Sequence, residues 1–108
     1  MKTIVMKFGG TSVGTGENIR NVADLVTQNS KDCRVAVVVS ALAGVTNKLI
    51  EVAEQAKKSD EKQIQAFIKE LLAKHIEAIS TAITSKQIQK EVTQITEKTI
   101  QELGKVLT

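Results

Sequence analysis

Two short, nearly unbroken apolar runs constrain this chain most: Thr3-Ile4-Val5-Met6-Lys7-Phe8 and Arg34-Val35-Ala36-Val37-Val38-Val39. Their length and β-branched content suit parallel strands buried on both faces. Between them, Ile19, Val22, Ala23 and Val26 follow the i, i+3, i+4, i+7 spacing of an amphipathic helix. Thr15 or Gly16 is the expected cap of that helix. Strand, helix and strand in this order form one βαβ unit, with a right-handed crossover expected.

The rest of the chain reads as helical. Thr46 or Asn47 is the expected cap of a second helix carrying Leu49, Val52, Ala53 and Ala56. Ser59-Asp60 opens a third, and Asp60 with Gln63 has the spacing of a capping box. Its apolar stripe is Ile64, Phe67, Ile68, Leu71, Leu72, His75 and Ile79. Thr84 with Gln87 repeats the capping pattern before Ile88, Val92, Ile95, Ile100, Leu103 and Val106. The two long helices are expected to form an antiparallel hairpin. The fold class is therefore α/β, with a βαβ unit over residues 1–47 and a helical region over 48–108. Two parallel strands do not make a stable sheet alone. The expectation is that these residues are the N-terminal part of a larger α/β domain, and that isolated copies associate through free strand edges.

Composition narrows the function classes. Of 108 residues, 42% are hydrophobic and 25% charged, which is the balance of a globular domain and not of a disordered one. Phe8 and Phe67 are the only aromatic residues, so the core must be aliphatic. The single cysteine, Cys33, cannot form an internal disulfide and suits a reducing cytosol. His75 is the only histidine and lies on an apolar stripe, where a structural role is expected; no Cys, His or Asp cluster has metal-ligand spacing. The net charge of +3 comes from lysines scattered among glutamates, as on solvated helix faces. Without stacking aromatics or a clustered basic face, no nucleic-acid partner is expected. No apolar run approaches the ~20 residues of a membrane span, and the N-terminal run is too short for a signal-peptide core. A cytoplasmic protein with no membrane partner is the expectation.

The chemistry is concentrated in two turns. Lys7 closes the first strand, and Gly9, Gly10, Thr11 and Ser12 follow it. This is neither a Walker A loop, since Thr15 stands where the lysine belongs, nor a Gly-x-Gly-x-x-Gly turn. A lysine inside a buried strand is costly unless its ammonium meets an anion. At the carboxyl end of a strand it stands where ligands of open α/β sheets bind. Small residues and free N–H groups beside it fit a polyphosphate. The same residues also admit a plainer reading, with Lys7 reaching solvent and Gly9-Gly10 forming only a tight turn. The second turn, Ser40-Ala41-Leu42-Ala43-Gly44-Val45-Thr46-Asn47, likewise leaves a strand and enters a helix. Side by side, the two turns would face one crevice and make a two-substrate site; alone, the second could be an ordinary strand-to-helix connection.

Together, Lys7-Phe8-Gly9-Gly10-Thr11-Ser12-Val13 and Ser40-Ala41-Leu42-Ala43-Gly44-Val45-Thr46-Asn47 resemble the N-terminal signatures of the aspartokinases, a branch of the amino-acid kinases. Both motifs lie within the first 47 residues; the helical remainder fits the family's helical insertion without identifying it. The resemblance implies an amino-acid-kinase-like three-layer αβα sandwich, of which this chain holds the first part. It implies ATP-dependent phosphorylation of the β-carboxylate of L-aspartate, the entry to lysine, threonine and methionine synthesis, with Mg2+ carried on the nucleotide. Lys7 would hold the ATP phosphates and stabilise the transferring group, as the catalytic residue. Gly9, Gly10, Thr11 and Ser12 would cradle the phosphates. Ser40 and Thr46 would contact aspartate, and Ala41 and Gly44 would shape that loop. A homo-oligomer is expected. The family's later site residues and its regulatory domain are absent from these 108 residues, so a fragment inactive on its own is the expectation. The alternatives are another amino-acid kinase, of the glutamate or acetylglutamate type, and a non-catalytic helical interaction module.

Overall fold

A computed structural model describes residues 1–108. The element order is β1 (Thr3–Phe8), α1 (Gly16–Asn29), β2 (Arg34–Val39), α2 (Val45–Lys57), α3 (Glu61–Ala82) and α4 (Lys86–Leu107). Both strands have the bounds that the apolar runs predict. They pair in parallel, with Thr3 opposite Arg34, Met6 opposite Val37, and Phe8 opposite Val39.

The register sorts the strand residues by face. Ile4, Met6 and Phe8 share one face with Val35, Val37 and Val39; Thr3, Val5 and Lys7 share the other with Arg34, Ala36 and Val38. The first face is half-covered along β1, and Phe8 and the α1 residue Val22 line a common groove. The second face is bare: Val5 is 70% exposed and Val38 49% exposed. The expectation of strands covered on both sides is therefore not met. These residues supply a helical layer over part of one side only, since Val37 and Val39 on the first face are themselves 43% and 58% exposed.

α1 begins as expected. Thr15 is its cap, and the Thr15 hydroxyl accepts from the Asn18 N–H at 3.2 Å. Gly16, the first helical residue, is buried against α3. A methyl group there would stand 2.6 Å from Thr81 Cβ and 2.7 Å from the Ala78 carbonyl, so only glycine permits this helix crossing. Val22 lies within the α1 interface, whereas Ala23 is exposed.

The start of α2 differs from expectation. Its cap is Gly44, at φ 82°, in a left-handed conformation that glycine adopts without strain. The helix opens at Val45, so Thr46 and Asn47 lie inside the first turn and neither side chain caps it. Val45 takes the apolar position that fixes this start, because it is buried with Leu71 and Ile100 in the core.

Ser59 takes a left-handed backbone conformation between α2 and α3. Asp60 caps α3 as predicted, accepting from the Gln63 N–H at 3.3 Å. α4 is capped by Ser85, one residue later than the predicted Thr84; the Ser85 hydroxyl accepts from the Ile88 N–H. The three-residue connection makes α3 and α4 an antiparallel pair, and Gly104 near the end of α4 faces Ile68 in the first half of α3.

The core lies among α2, α3 and α4. Val45, Leu71 and Ile100 form its buried centre, with Leu42, Leu49, Phe67, Ile68, Leu72 and Leu103 packed around them. Ile64 is 2% exposed and Ile79 is buried against the same helical body. Each such aliphatic side chain stabilises the fold by about 1.5–3 kcal/mol. The stripe predicted for α4 is only partly the observed one. Ile100 is buried, and Val92 and Leu103 are half-buried, but Ile88, Ile95 and Val106 face solvent. His75 is half-buried on α3, with Nδ1 2.8 Å from the Leu71 carbonyl one turn earlier.

Candidate active site

The two turns singled out by the sequence leave the carboxyl ends of adjacent parallel strands. Their junction is fixed where the sheet ends: the Ser40 N–H donates to the Phe8 carbonyl at 3.1 Å. Beyond that bond the turns touch. A methyl group on Gly10 would lie 3.5 Å from Ser40 Oγ and 3.9 Å from the Ala41 carbonyl. One on Gly14 would lie 3.0 Å from Ala43 Cβ. At Gly14 the fit is tight enough to favour glycine, whereas at Gly10 the distances are those of ordinary contact.

The first turn is tied to α1. The Ser12 N–H donates to the Gly9 carbonyl at 3.1 Å, closing a tight turn. The side chain of Asn18 reaches back and donates from Nδ2 to the Thr11 carbonyl at 3.0 Å. Asn18 thus ties this turn to the first turn of the following helix. Sequence reasoning did not single it out, and the signal was only its place three residues after a capping threonine.

The N–H groups of Gly9, Gly10, Thr11 and Val13 donate to no protein acceptor, nor do those of Ala41, Ala43, Gly44, Thr46 and Asn47. Gly44, Thr46 and Asn47 belong to the start of α2, where the helix dipole adds partial positive charge. The hydroxyls of Thr11, Ser12, Ser40 and Thr46 are exposed at the same strand ends. A set of free donors with small neighbours attracts oxyanions.

Lys7 is the penultimate residue of β1, opposite Val38, which lies two residues before Ser40. Its side chain is exposed and takes part in neither of the chain's ion pairs, Lys48–Glu51 and Lys57–Glu54. The expectation of a lysine enclosed in the strand is corrected here. Lys7 stands on the bare face, so its claim to a role comes from its position and its free charge, not from burial.

The structure brings Gly10 to Ser40 and Ala41, and Gly14 to Ala43. It does not gather all candidates into one enclosure. A groove of about 350 Å3 runs beside Thr11, Ser12 and Asn18 between the first turn and α1. A separate cavity of about 210 Å3 lies between Gly44, Val45 and α3, lined also by Phe67, Lys48 and Lys74.

The amino acid kinase family model matches residues 2–106 of this chain. With the parallel βαβ start and the two strand-end turns, this places the chain in the amino acid kinase family. Its curated relatives carry a narrower name. It is 52% identical over 56 residues to aspartate kinase Ask_LysC of Stutzerimonas stutzeri (strain A1501), a stretch covering 51% of this chain and 14% of that protein. It is 54% identical over 56 residues to an aspartokinase of Pseudomonas aeruginosa, with the same two coverages. The bifunctional aspartokinase/homoserine dehydrogenase 1 of Zea mays is 42% identical over 71 residues, 66% of this chain and 8% of that protein. The match thus spans no more than about a seventh of these relatives, 14% at most.

Proposed function

We propose that this chain supplies the phosphate-gripping and substrate-contacting turns of an aspartate kinase, which transfers the γ-phosphoryl group of ATP to the β-carboxylate of L-aspartate. The reading is supported most by the contact between Gly10 and Ser40 at the ends of adjacent parallel strands. That contact sets a donor-rich, glycine-containing turn beside a hydroxyl-bearing one.

In this reading Lys7 holds the ATP phosphates and neutralises charge on the transferring group. The N–H groups of Gly9, Gly10 and Thr11, with the Ser12 hydroxyl, cradle the phosphate oxygens. Ser40 and Thr46 hold aspartate, on a loop shaped by Ala41 and Gly44. The acceptor is a carboxylate with an ordinary pKa of about 3.9, so it is already ionised at neutral pH and needs no general base. Rate enhancement then comes from alignment and from stabilising charge, both of which a lysine and backbone donors can supply. Magnesium enters as part of the MgATP substrate, held by phosphates and water. Residues 1–108 act as one part of an amino-acid-kinase domain, with its turns within residues 1–47, in a cytoplasmic homo-oligomer that feeds lysine, threonine and methionine synthesis. No helix of the chain is long and apolar enough to cross a membrane.

The test is a chimera in which the 56 aligned residues replace their counterparts in the Stutzerimonas stutzeri aspartate kinase. Coupled ADP release is measured with L-aspartate, L-glutamate and N-acetylglutamate. Turnover with L-aspartate alone is expected. A folded chimera that turns over none of the three, or prefers another acceptor, overturns the assignment. The 108-residue chain by itself is expected to release no ADP above background.

A further inference from the structure

We propose that Asn18 is a positioning residue for phosphoryl transfer, whose side-chain amide aims the backbone donors of the first turn by holding the Thr11 carbonyl. This role presupposes the proposed aspartate kinase activity and refines the part of it that grips phosphate. The turn has little stiffness of its own. Gly9 and Gly10 have access to a wide range of backbone angles, and a Cβ on Gly9 would meet nothing within 4 Å. Val13, 5% exposed, anchors the far end. Between these points, hydrogen bonds decide the shape. The Ser12 N–H donates to the Gly9 carbonyl at 3.1 Å, and the Gly14 N–H to the Thr11 carbonyl at 3.4 Å. Both of these bonds stay within the turn. The bond from outside it is the one from α1, where Asn18 Nδ2 donates to the Thr11 carbonyl at 3.0 Å.

The Thr11 carbonyl and the Ser12 N–H belong to one planar peptide unit. That plane is held at both edges, by Asn18 on one side and by Gly9 on the other. Its direction sets the peptide units on either side, which carry the free N–H groups of Thr11 and Val13. Asn18 is a firm mount for such a strut. It is the third residue of α1 and half-buried, and its own backbone N–H donates to the Thr15 hydroxyl at 3.2 Å. A donor mounted on a helix is held more exactly than one on a loop. Donors fixed in advance stabilise developing charge without moving, and a shift of about 1 Å costs up to about 100-fold in rate. The position also separates this role from plain support of the helix. A carboxylate in the first turn of a helix is favourable, because that end carries partial positive charge. Asn18→Asp keeps the side chain's shape and supports α1, but an ionised carboxylate cannot donate to a carbonyl.

The experiment places Asn18→Ala, Asn18→Asp and Asn21→Asp in an aspartate kinase chimera that carries both turns and α1 of this chain. Asn21 lines the same groove as Asn18 and supplies the new charge without the contact to Thr11. Melting temperature and steady-state kinetics for MgATP and L-aspartate are measured on each. Both Asn18 variants are expected to lose at least about tenfold in kcat/KM for MgATP, with KM for L-aspartate within about twofold of the parent. The melting temperature of Asn18→Ala should stay within about two degrees of the parent, and that of Asn18→Asp should equal or exceed it. Asn21→Asp should match the parent in every measure. Unchanged MgATP kinetics in Asn18→Ala overturn the proposal. So does an Asn21→Asp loss equal to that of Asn18→Asp, which would trace the effect to charge alone. A lowered melting temperature with equal losses for both substrates also overturns it, in favour of a structural role. A parent chimera without turnover overturns the kinase reading and this role together, whereas an active parent with unaffected Asn18 variants overturns this role alone.

Discussion

Gly10 lies against Ser40, close enough that a methyl group on the glycine would come within 3.5 Å of the serine Oγ. The two residues follow neighbouring strands, whose ends are joined beside them by the Ser40 N–H bond to the Phe8 carbonyl. Space for an added Cβ exists at Gly10, since 3.5 Å is an ordinary contact distance. Gly10→Ala is therefore expected to fold normally in the chimeric kinase, with a melting temperature within a degree or two of the parent. Its kcat should fall about 100-fold, because the methyl group displaces a phosphate from its aligned position. Unchanged kcat would separate this turn from the chemistry.

Lys7 tests the electrostatic part of the assignment. It is exposed and forms no ion pair, so Lys7→Ala should change stability by no more than about 0.5 kcal/mol in urea denaturation. In the chimera, the loss of a preorganised charge at the transferring group should lower kcat by about 100- to 1,000-fold. Steady-state kinetics that show a raised KM for ATP with kcat intact would restrict Lys7 to binding.

The α1–α3 crossing depends on a missing side chain. Gly16→Ala would force a methyl group to 2.6 Å from Thr81 Cβ and 2.7 Å from a backbone carbonyl. Overpacking of this kind costs about 2 kcal/mol. Chemical denaturation should register that loss even though alanine is the better helix former. A stabilised Gly16→Ala chain would show that α1 moves away from α3 without penalty.

Two isoleucines of the helical region should behave oppositely. Ile64 is 2% exposed, and Ile64→Ala should destabilise the chain by about 3 kcal/mol through lost burial and a residual cavity. Ile95 is 67% exposed, and Ile95→Ala should remain within about 0.5 kcal/mol of the parent. A large loss at Ile95 would mean that its face of α4 is covered in solution.

Where local chemistry dominates, the residues spoke for themselves. Both strand ranges, the Thr15 cap and the Asp60 cap follow from β-branched runs and from short polar side chains ahead of amphipathic segments. The failures share one cause, which is dependence on a neighbour that periodicity does not name. Thr84 and Ser85 are both able to cap, and the tight α3–α4 connection selects Ser85. α2 starts at Gly44 because Val45 has to reach Leu71 and Ile100. Ile88 and Ile95 lie on a side of α4 away from the core, which the side bearing Val92, Ile100 and Leu103 meets instead. In the candidate site, the two motifs were legible as residue types. The closeness of Gly14 to Ala43 and the reach of Asn18 to the Thr11 carbonyl were not, because backbone proximity leaves no mark in a single sequence.

α3 packs against α1, α2 and α4 alike, whereas the sheet reaches the helical body chiefly through α1 and the two strand-end turns. Melting of that one helix would strip its three neighbours of their common support at once. The chain should consequently lose its structure in a single cooperative step, and the geometry of the turns should last only as long as the last protected amides of α3.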